Sequence, residues 1–371
     1  MKDITLVLLA AGDSTRFKAP FKKQWIRIGE IPLWQYVAKD LSQKCDFSDI
    51  IIVANEKEIS YMKKIERNFK YAKGGKLRQN SLANALKKVK SEFVFVSDTA
   101  RAEISKDLIG RLINECEKFD CVSPFLGVVD TAYLGRNQID RNDLKLIQTP
   151  QISRANLLKK ALESNEIFTD DSAAIAFAGG KLGFVEGDEK ARKITFTSDL
   201  AHFDFTPASG TIFTGNGFDV HAFAKGEFIT LGGVKIPCEY SLVGHSDADA
   251  AIHALMDAIL GACGLGDIGE LFPDTDDSFK GIDSKILLQK VVNFVHLLGF
   301  KIINADITII AQKPKISPYK EKMCEILSEI LQTSRVNVKA STTEKLGFVG
   351  RVEGVAAIAS TNLGYFDWRK F

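Results

Sequence analysis

Small and charged residues directly follow the first apolar run of the chain. Ile4–Ala10 is continuously apolar, and Ala10–Arg16 (AAGDSTR) follows it. Small side chains let backbone N–H groups approach a polyphosphate closely, and an arginine can neutralise it. Lys22 and Lys23 lie within reach of the same loop. The pattern predicts a phosphate site; a tight turn beside a solvated lysine pair is the alternative.

Two further segments carry groups suited to a nucleotide. Gly74–Ser81 (GGKLRQNS) is a glycine turn that opens a predicted helix, whose first N–H groups can donate to a ligand. Asp98 closes the predicted strand Phe93–Ser97. An aspartate at a strand end typically holds Mg²⁺ while phosphates complete the shell. The alternative for Asp98 is a helix cap or a turn.

Three of the five histidines fall between positions 221 and 253. Asp219 and His221 share one face of an extended segment, because alternate residues of a strand do so. His253 lies on a predicted helix, Asp247–Cys263. Two imidazoles and one carboxylate leave a fourth tetrahedral position open, which is typical of catalytic zinc. Ordinary polar histidines are the alternative.

The start of that helix has two interpretations. Ser246 is a natural N-cap, and Asp249 lies three residues on, as in a capping box. Asp249 also precedes His253 by one helical turn. Its carboxylate could therefore orient the imidazole as a metal ligand instead.

Residues 1–200 alternate between apolar runs and amphipathic helices. This alternation predicts a parallel sheet covered on both faces, with ligands beyond the carboxyl ends of its strands. The predicted elements are strands Ile4–Ala10, Ile50–Ala54 and Phe93–Ser97, and helices Pro32–Ser42 and Asn80–Lys90.

A change in amino-acid composition indicates a domain boundary near residue 210. Thr195–Gly210 mixes polar and aromatic residues, so we predict domains at 1–210 and 211–371. About 160 residues can bury a core of their own. The second domain is predicted to be α+β, with helices Asp247–Cys263, Ser284–Leu298 and Tyr319–Leu331 and strands Ile302–Ala311, Asn337–Ala340 and Gly354–Thr361.

The composition excludes several classes of protein. With 45% apolar and 26% charged residues among 371, the chain is globular rather than disordered. A net charge of +2 provides no global field toward nucleic acid or an anionic membrane. No apolar stretch approaches the ~20 residues that span a bilayer, and the six cysteines form no CxxC pair. We expect a cytoplasmic protein with reduced thiols.

A series of short motifs carries a family resemblance in the first part of the chain. In order they are Ala10–Arg16, Lys23–Trp25, Gly74–Ser81, Asp98–Arg101, Asp130-Thr131, Asp140–Asn142, Thr149–Gln151, Thr169–Asp171, Val185–Gly187 and Arg192–Thr195. With them, roughly residues 3–200 resemble the 2-C-methyl-D-erythritol 4-phosphate cytidylyltransferase family. The chain departs from the family at Ser14, where a second glycine is usual, and at Thr99, where alanine is usual. An extra residue before Lys23 leaves Lys22 as its rival.

The resemblance implies an α/β nucleotidyltransferase fold, Rossmann-like with a mostly parallel sheet, that transfers CMP from CTP and releases pyrophosphate. Arg16 and Lys23 would stabilise the pentacoordinate phosphorus, and Asp98 would hold the Mg²⁺ that accompanies CTP. The methylerythritol phosphate would be gripped by Arg101, Thr131, Arg141 and Lys193. CTP would contact Ala10, Ala11, Gly12, Gly75, Lys76 and Ser81.

Four long motifs lie in the second part of the chain: GFDVH from Gly217, GHSDADAAIHAL from Gly244, LGDIGELFPDTD from Leu265, and KASTTEKLGFVGRVEG from Lys339. With these motifs, residues 211–363 resemble the 2-C-methyl-D-erythritol 2,4-cyclodiphosphate synthase family. Ser341 stands where threonine is common, which keeps the hydroxyl. The implied reaction is intramolecular: the 2-phosphate of a CDP-linked substrate attacks the β-phosphorus and expels CMP.

This second resemblance implies a role for each matching residue. Asp219, His221 and His253 would bind Zn²⁺ or another divalent metal, and His245 and Thr342 would stabilise the transition state. Ser246 would bind the substrate or nucleotide, and the methylerythritol pocket would comprise Asp267, Ile268, Gly269, Phe272, Pro273, Asp274, Thr275 and Asp276. The cytidine diphosphate would contact Ala311–Ser317, Ser341, Thr343, Glu344, Phe348 and Arg351, with Glu344 reaching a second Mg²⁺ or Mn²⁺.

Together the resemblances indicate one bifunctional enzyme of the methylerythritol phosphate (non-mevalonate) route to isoprenoids. The intervening kinase has no counterpart in this sequence, and contact with it is a further prediction. The cyclase family is trimeric with sites between subunits and the cytidylyltransferase family is dimeric, so a hexamer would satisfy both. The alternatives are a first domain that uses another polyol phosphate, such as ribitol phosphate, or one that is inactive and only recruits partners.

Overall fold

The computed structural model describes residues 2–244, 246–273 and 281–371, which divide into two units. The first unit reaches to Pro207 and includes Trp368–Phe371, and the second is Ala208–Asp367. The predicted second domain ran to residue 371, so its last four residues are a correction. They belong to the first unit because the indole Nε1 of Trp368 donates to the carbonyl oxygen of Arg27 at 2.9 Å, and its ring packs edge-on against Phe205.

One eight-stranded sheet organises the first unit. The strands of this unit are β1 (Ile4–Leu9), β2 (Arg27–Ile28), β3 (Ile31–Pro32), β4 (Asp49–Ala54), β5 (Lys70–Lys73), β6 (Phe93–Asp98), β7 (Cys121–Gly127), β8 (Ala132–Leu134), β9 (Asn137–Ile139), β10 (Lys145–Ile147), β11 (Gln151–Arg154) and β12 (Leu182–Glu186). The order is β10-β7-β11-β6-β1-β4-β5, with β12 beside β7. Strands β6, β1, β4 and β5 run parallel to one another, as predicted. Strand β10 pairs antiparallel with β7, and β11 pairs antiparallel with both β6 and β7.

Helices cover both apolar faces of this sheet, as α/β packing requires. They are α1 (Leu33–Lys44), α2 (Glu56–Ile65), α3 (Arg78–Leu86), α4 (Lys106–Glu115), α5 (Ala155–Ala161) and α6 (Asp171–Phe177). One core joins β1, β4 and β6 to α3, α5 and α6. The predicted helix Asn80–Lys90 begins earlier, at Arg78, because the Asn80 side chain accepts from the N–H of Leu77 and caps the first turn.

The second unit is α+β, as predicted. Its strands are β13 (Phe213–Lys225), β14 (Phe228–Leu231), β15 (Val234–Pro237), β16 (Tyr240–Leu242), β17 (Phe300–Ile310), β18 (Val336–Ser341) and β19 (Gly354–Tyr365). Its helices are α7 (Ala250–Cys263), α8 (Ile268–Leu271), α9 (Ser284–Leu297), α10 (Lys320–Leu331) and α11 (Gly347–Gly350). The main sheet has the order β16-β13-β19-β17-β18. Among the described residues, no helix is both long and apolar enough to cross a membrane.

Candidate active sites

A cavity of about 360 Å³ lies at the carboxyl ends of β1 and β6. In a parallel sheet, strand ends on the same side meet, so loops that are distant in sequence converge there. The predicted residues that line this cavity are Ala10, Ala11, Gly12, Arg16, Lys23, Gly75, Lys76, Ser81, Asp98 and Lys193.

Positive charge is concentrated in this cavity. The ammonium of Lys23 donates to the carbonyl oxygen of Ile194 at 3.0 Å. Its pKa is lowered to about 8, first by burial and then by the nearby charges of Lys193 and Arg16. Cations that repel one another in one cavity are stabilised by a polyanion, so the cavity suits a polyphosphate.

Asp98 is the carboxylate of the same cavity. Burial alone would raise its pKa, but Lys193 and Arg78 outweigh burial, and the pKa of Asp98 lies below its usual range. The ammonium of Lys193 lies 2.6 Å from Asp98 Oδ2. An ionised carboxylate at a strand end is an oxygen ligand that suits Mg²⁺. A cation held by Asp98 would therefore share this carboxylate with Lys193.

Arg78 received no role in the sequence analysis, although it belongs to the glycine-turn motif. It lines the cavity, with its Nε 3.7 Å from Asp98 Oδ1 and its Nη1 2.7 Å from Asp171 Oδ1. Asp171 is buried at the start of α6. Arg78 thus links the glycine turn to the strand-end carboxylate. The sequence feature that could have identified Arg78 as a cavity residue is its place at the start of the helix that follows the glycine turn.

The two rival lysines have different surroundings. Lys22 is buried, and its Nζ lies 2.6 Å from Glu58 Oε1. Lys23 lines the phosphate cavity, whereas Lys22 is not among its lining residues. The geometry therefore places Lys23, rather than Lys22, in the cavity.

Three predicted substrate residues do not line this cavity. The guanidinium of Arg101 donates to the carbonyl oxygen of Ala191. Thr131 and Arg141 border a separate depression of about 610 Å³ beside the β8–β9 hairpin. Arg141 is exposed and donates to the carbonyl oxygen of Val129.

In the second unit, Asp219, His221 and His253 converge on one point. Their ligating atoms all lie within 4.8 Å of one another. Asp219 Oδ2 is 2.9 Å from His221 Nε2 and 3.1 Å from His253 Nδ1. Burial alone would raise the pKa of Asp219, but contacts with the two imidazoles bring it well below its usual range.

The outer nitrogen of each imidazole has its own partner. His221 Nδ1 lies 2.9 Å from the carbonyl oxygen of Val243, so it carries the proton and leaves Nε2 as a ligand. His253 Nε2 lies 3.0 Å from the hydroxyls of Ser246 and Ser284. The Ser284 hydroxyl donates in turn to Asp247. Such outer partners orient metal-ligating imidazoles, and two nitrogens with one carboxylate oxygen fit Zn²⁺.

Glycines of β13 bring α7 close enough to complete this cluster. A Cβ added at Gly217 would lie 1.9 Å from the carbonyl oxygen of Ala254, and one at Gly215 would lie 1.9 Å from that of Ala258. Gly215, Gly217, Asp219 and His221 alternate along the strand and share the face toward α7. The helix backbone can therefore rest on the strand, which places His253 beside Asp219.

Asp249 acts as a cap. The helix begins at Ala250 rather than Asp247, and the fully buried Asp249 carboxylate accepts from the N–H of Ile252. It also accepts from the N–H groups of Gly232 and Gly233 at 2.8 and 2.7 Å. No contact joins its side chain to the imidazole of His253 among the described residues. Ser246, predicted as the N-cap, instead contacts that imidazole.

A cavity of about 320 Å³ adjoins the cluster, and its lining includes four of the residues expected to contact substrate: Ser246, Ile268, Gly269 and Phe272. Asp267 is not part of the lining and instead caps α8 by accepting from the N–H of Glu270 at 3.0 Å. Pro273 does not line it either. The predicted residues His245, Asp274, Thr275 and Asp276 lie outside the described residues.

The residues predicted to hold cytidine diphosphate form a separate group. Thr342 donates to Glu344 at 2.8 Å, and Arg351 pairs with Glu353 at 2.9 Å. None of these predicted residues lines the cavity beside the described metal cluster: Ala311–Ser317, Ser341, Thr342, Thr343, Glu344, Phe348 and Arg351. Among the residues that the structure describes, Glu344 belongs to no cluster of three metal-ligating side chains.

Comparison with known proteins assigns a relative to each unit and to the whole chain. The model of the 2-C-methyl-D-erythritol 4-phosphate cytidylyltransferase family, IspD, matches residues 4–207, and that of the YgbB family matches residues 212–363. The chain is 99% identical over its whole length to a protein of Campylobacter hominis described as bifunctional enzyme IspD/IspF, all of which is covered. A protein of Campylobacter fetus with the same description is 55% identical over 100% of this chain and 99% of its own. The solved structure of the bifunctional IspDF from Campylobacter jejuni has 50% identity and a TM-score of 0.91, covering 99% of this chain and 100% of that one.

Proposed function

Because the chain belongs to the family of bifunctional IspD/IspF enzymes, we propose that its two cavities carry out the family's two reactions separately. The enzyme is a cytidylyltransferase and a cyclodiphosphate synthase of the methylerythritol phosphate pathway. The cavity at the ends of β1 and β6 would transfer CMP. The cavity beside Asp219, His221 and His253 would close the cyclic diphosphate.

For transfer, we assign Arg16 and Lys23 to the α-phosphorus of CTP. An oxygen of methylerythritol phosphate attacks this phosphorus in line, and pyrophosphate leaves. Both side chains neutralise charge that builds on the phosphorus as five oxygens surround it. Asp98 would hold Mg²⁺, which when bound draws charge from the phosphates. The convergence of Arg16, Lys23, Lys193 and Asp98 on one cavity carries this assignment.

Thr131 and Arg141 would grip methylerythritol phosphate from a second copy of the chain. They are exposed beside the β8–β9 hairpin and do not line the phosphate cavity of their own chain. A dimer, the state expected of the cytidylyltransferase family, would bring such a surface to the neighbouring cavity. Lys193 and Arg101 would contribute from the same chain as Asp98.

For cyclisation, we assign Asp219, His221 and His253 to zinc, which when bound supplies Lewis acidity to the diphosphate. The distances among their ligating atoms and the partners on both outer nitrogens support this assignment. Ser246, Ile268, Gly269 and Phe272 would enclose the methylerythritol portion and hold the 2-phosphate near the β-phosphorus. His245 and Thr342 would stabilise the transition state.

The residues assigned to cytidine diphosphate would complete the cyclase cavity of a neighbouring subunit. Their separation from the metal cluster of their own chain supports this proposal, because a trimer with sites between subunits supplies the second wall. Glu344 would reach a second Mg²⁺ or Mn²⁺.

A hexamer would satisfy the oligomeric states of both families, and light scattering tests this proposal: a monomer would contradict it. Contact with the pathway kinase stays a prediction. A cytoplasmic location fits the use of CTP.

One incubation tests both assignments. Purified enzyme, with its metal content measured, receives CTP and methylerythritol phosphate, and pyrophosphate is recorded. Ribitol phosphate in a parallel reaction tests another polyol as substrate. The CDP-linked 2-phosphate substrate is then supplied, and CMP is recorded. Pyrophosphate release with ribitol phosphate alone, or CMP release unaffected by removal of zinc, would contradict the proposal.

A further inference from the structure

Glu58 is a buried carboxylate that none of the predicted site motifs contains. It lies in the first turns of α2, only 4% exposed. Its Oε1 accepts from Lys22 Nζ at 2.6 Å. Its Oε2 accepts from the indole of Trp25 at 2.7 Å and from the Gln24 amide at 3.2 Å. One carboxylate thus binds three side chains of the four-residue segment 22–25.

The fourth member of that segment is Lys23, the lysine of the phosphate cavity. Its backbone N–H donates to the Ser14 hydroxyl at 3.0 Å, and the Gln24 amide donates to the carbonyl oxygen of Gly12 at 3.2 Å. These two contacts attach segment 22–25 to the phosphate loop. Glu58 therefore holds, through Gln24, both the segment that bears Lys23 and the loop that it faces.

The buried ion pair between Lys22 and Glu58 determines which of the two neighbouring lysines enters the phosphate cavity. An ammonium and a carboxylate that are both buried stabilise each other, whereas either one alone is costly. Lys22 is therefore retained at Glu58 and kept out of the phosphate cavity. Lys23, next in sequence, then projects into that cavity. The extra residue before Lys23 creates two candidate lysines, and the buried partner separates their roles.

We propose that Glu58 is a positioning residue for cytidylyl transfer, whose carboxylate retains Lys22 and anchors segment 22–25 so that Lys23 meets the α-phosphate of CTP. This inference rests on the proposed role of Lys23. Glu58 itself is not among the residues that line the phosphate cavity. Its removal acts through the position of Lys23 and of the phosphate loop.

The test compares Glu58→Gln with the double variant Lys22→Met, Glu58→Gln in the full-length enzyme. The single variant leaves the Lys22 ammonium with only the exposed Asp13 carboxylate of the phosphate loop, 3.3 Å away, as its counter-charge. Lys22 is then drawn toward that loop and competes with Lys23 for the phosphates. We expect kcat/KM for CTP to fall about tenfold or more, because breaking a buried charged pair is costly. The double variant is neutral at both positions and keeps an acceptor for Trp25. We expect it to regain activity to within about threefold of wild type.

Two readouts separate positioning from general damage. CMP release by the second unit serves as an internal control and should equal wild type in every variant. Thermal unfolding reports stability, and a merely structural role would make kcat/KM follow the melting temperature rather than the charge balance. Wild-type kinetics in Glu58→Gln, or a double variant as impaired as the single one, would overturn the inference. Full transfer by Lys23→Met would instead overturn the assignment of Lys23, and with it the premise.

Discussion

In the proposed assignment, Arg16 and Lys23 supply the positive charge that cytidylyl transfer requires. Because each meets the phosphate only through its cation, Arg16→Ala or Lys23→Ala should lower pyrophosphate release by at least about 100-fold. The metal cluster belongs to the other unit, so CMP release from the CDP-linked substrate should stay near wild type. Pyrophosphate assays on both variants check this. A Lys23→Ala enzyme with wild-type transfer would exclude Lys23.

The pKa of Lys23, lowered to about 8, predicts a pH dependence. Above about pH 8 the free enzyme loses the ammonium, so kcat/KM for CTP should fall as the pH rises, approaching tenfold per pH unit. Lys23→Arg provides the control. Its guanidinium stays charged, so its lower activity should hold to higher pH. Identical alkaline limbs in both enzymes would assign the titration to another group.

Ser284 and Asp249 distinguish a residue that orients a metal ligand from one that caps a helix. Ser284 contacts His253 Nε2, so Ser284→Ala should weaken zinc binding roughly 10–100-fold, measured by competition with a chelator. Asp249→Asn should lower stability while zinc affinity stays within about threefold, because its carboxylate contacts only backbone N–H groups.

His253→Ala removes one of the three proposed metal ligands, so it should abolish stoichiometric zinc binding and cyclisation. Stoichiometric zinc in His253→Ala would refute the metal assignment.

At the scale of elements, the contact of α7 with β13 depends on the missing Cβ atoms of Gly215 and Gly217. Gly217→Ala should push the helix away from the strand, destabilise the second unit by about 1–3 kcal/mol and weaken zinc binding. Gly261→Ala, exposed on the same helix with open space at its Cβ, is the matched control and should be neutral or stabilising. Equal zinc affinity in both variants would show that close packing there does not position His253.

Local patterns were enough to predict the strand-end loops, the alternation of Asp219 with His221 and most helix positions. They were not enough for contacts between distant residues. Arg78 with Asp171, and Glu58 with Lys22, become partners only when separate elements pack. The predicted start of helix α7 at Asp247 was wrong, because an aspartate is also common in the first turn of a helix. In the structure the Asp247 carboxylate accepts a hydrogen bond from Ser284. The Asp249 carboxylate accepts from two glycine N–H groups of the β14–β15 turn.

At the scale of the whole molecule, residues 368–371 belong to the first unit although the second unit precedes them. Trp368 is buried, so Trp368→Ala should cost the first unit about 3 kcal/mol, or roughly 6–12 °C in melting temperature. Calorimetry should show this loss in one transition only, with zinc content unchanged. A Phe371→Ala variant, which removes an exposed ring, should cost less. Equal effects from the two would show that burial of Trp368 contributes little.

Because residues 368–371 follow the second unit in sequence but pack in the first, they also determine when the first unit can be completed during translation. The first unit meets Trp368 only after Ala208–Asp367, 160 residues, have been translated. At bacterial elongation rates that delay is roughly 8–32 s. Throughout this interval the ring of Phe205 lacks its contact with the Trp368 indole, and the Arg27 carbonyl oxygen lacks the hydrogen bond from that indole. The first unit therefore cannot complete its packing before residues 368–371 are translated, whereas the second unit has all of its own residues by then.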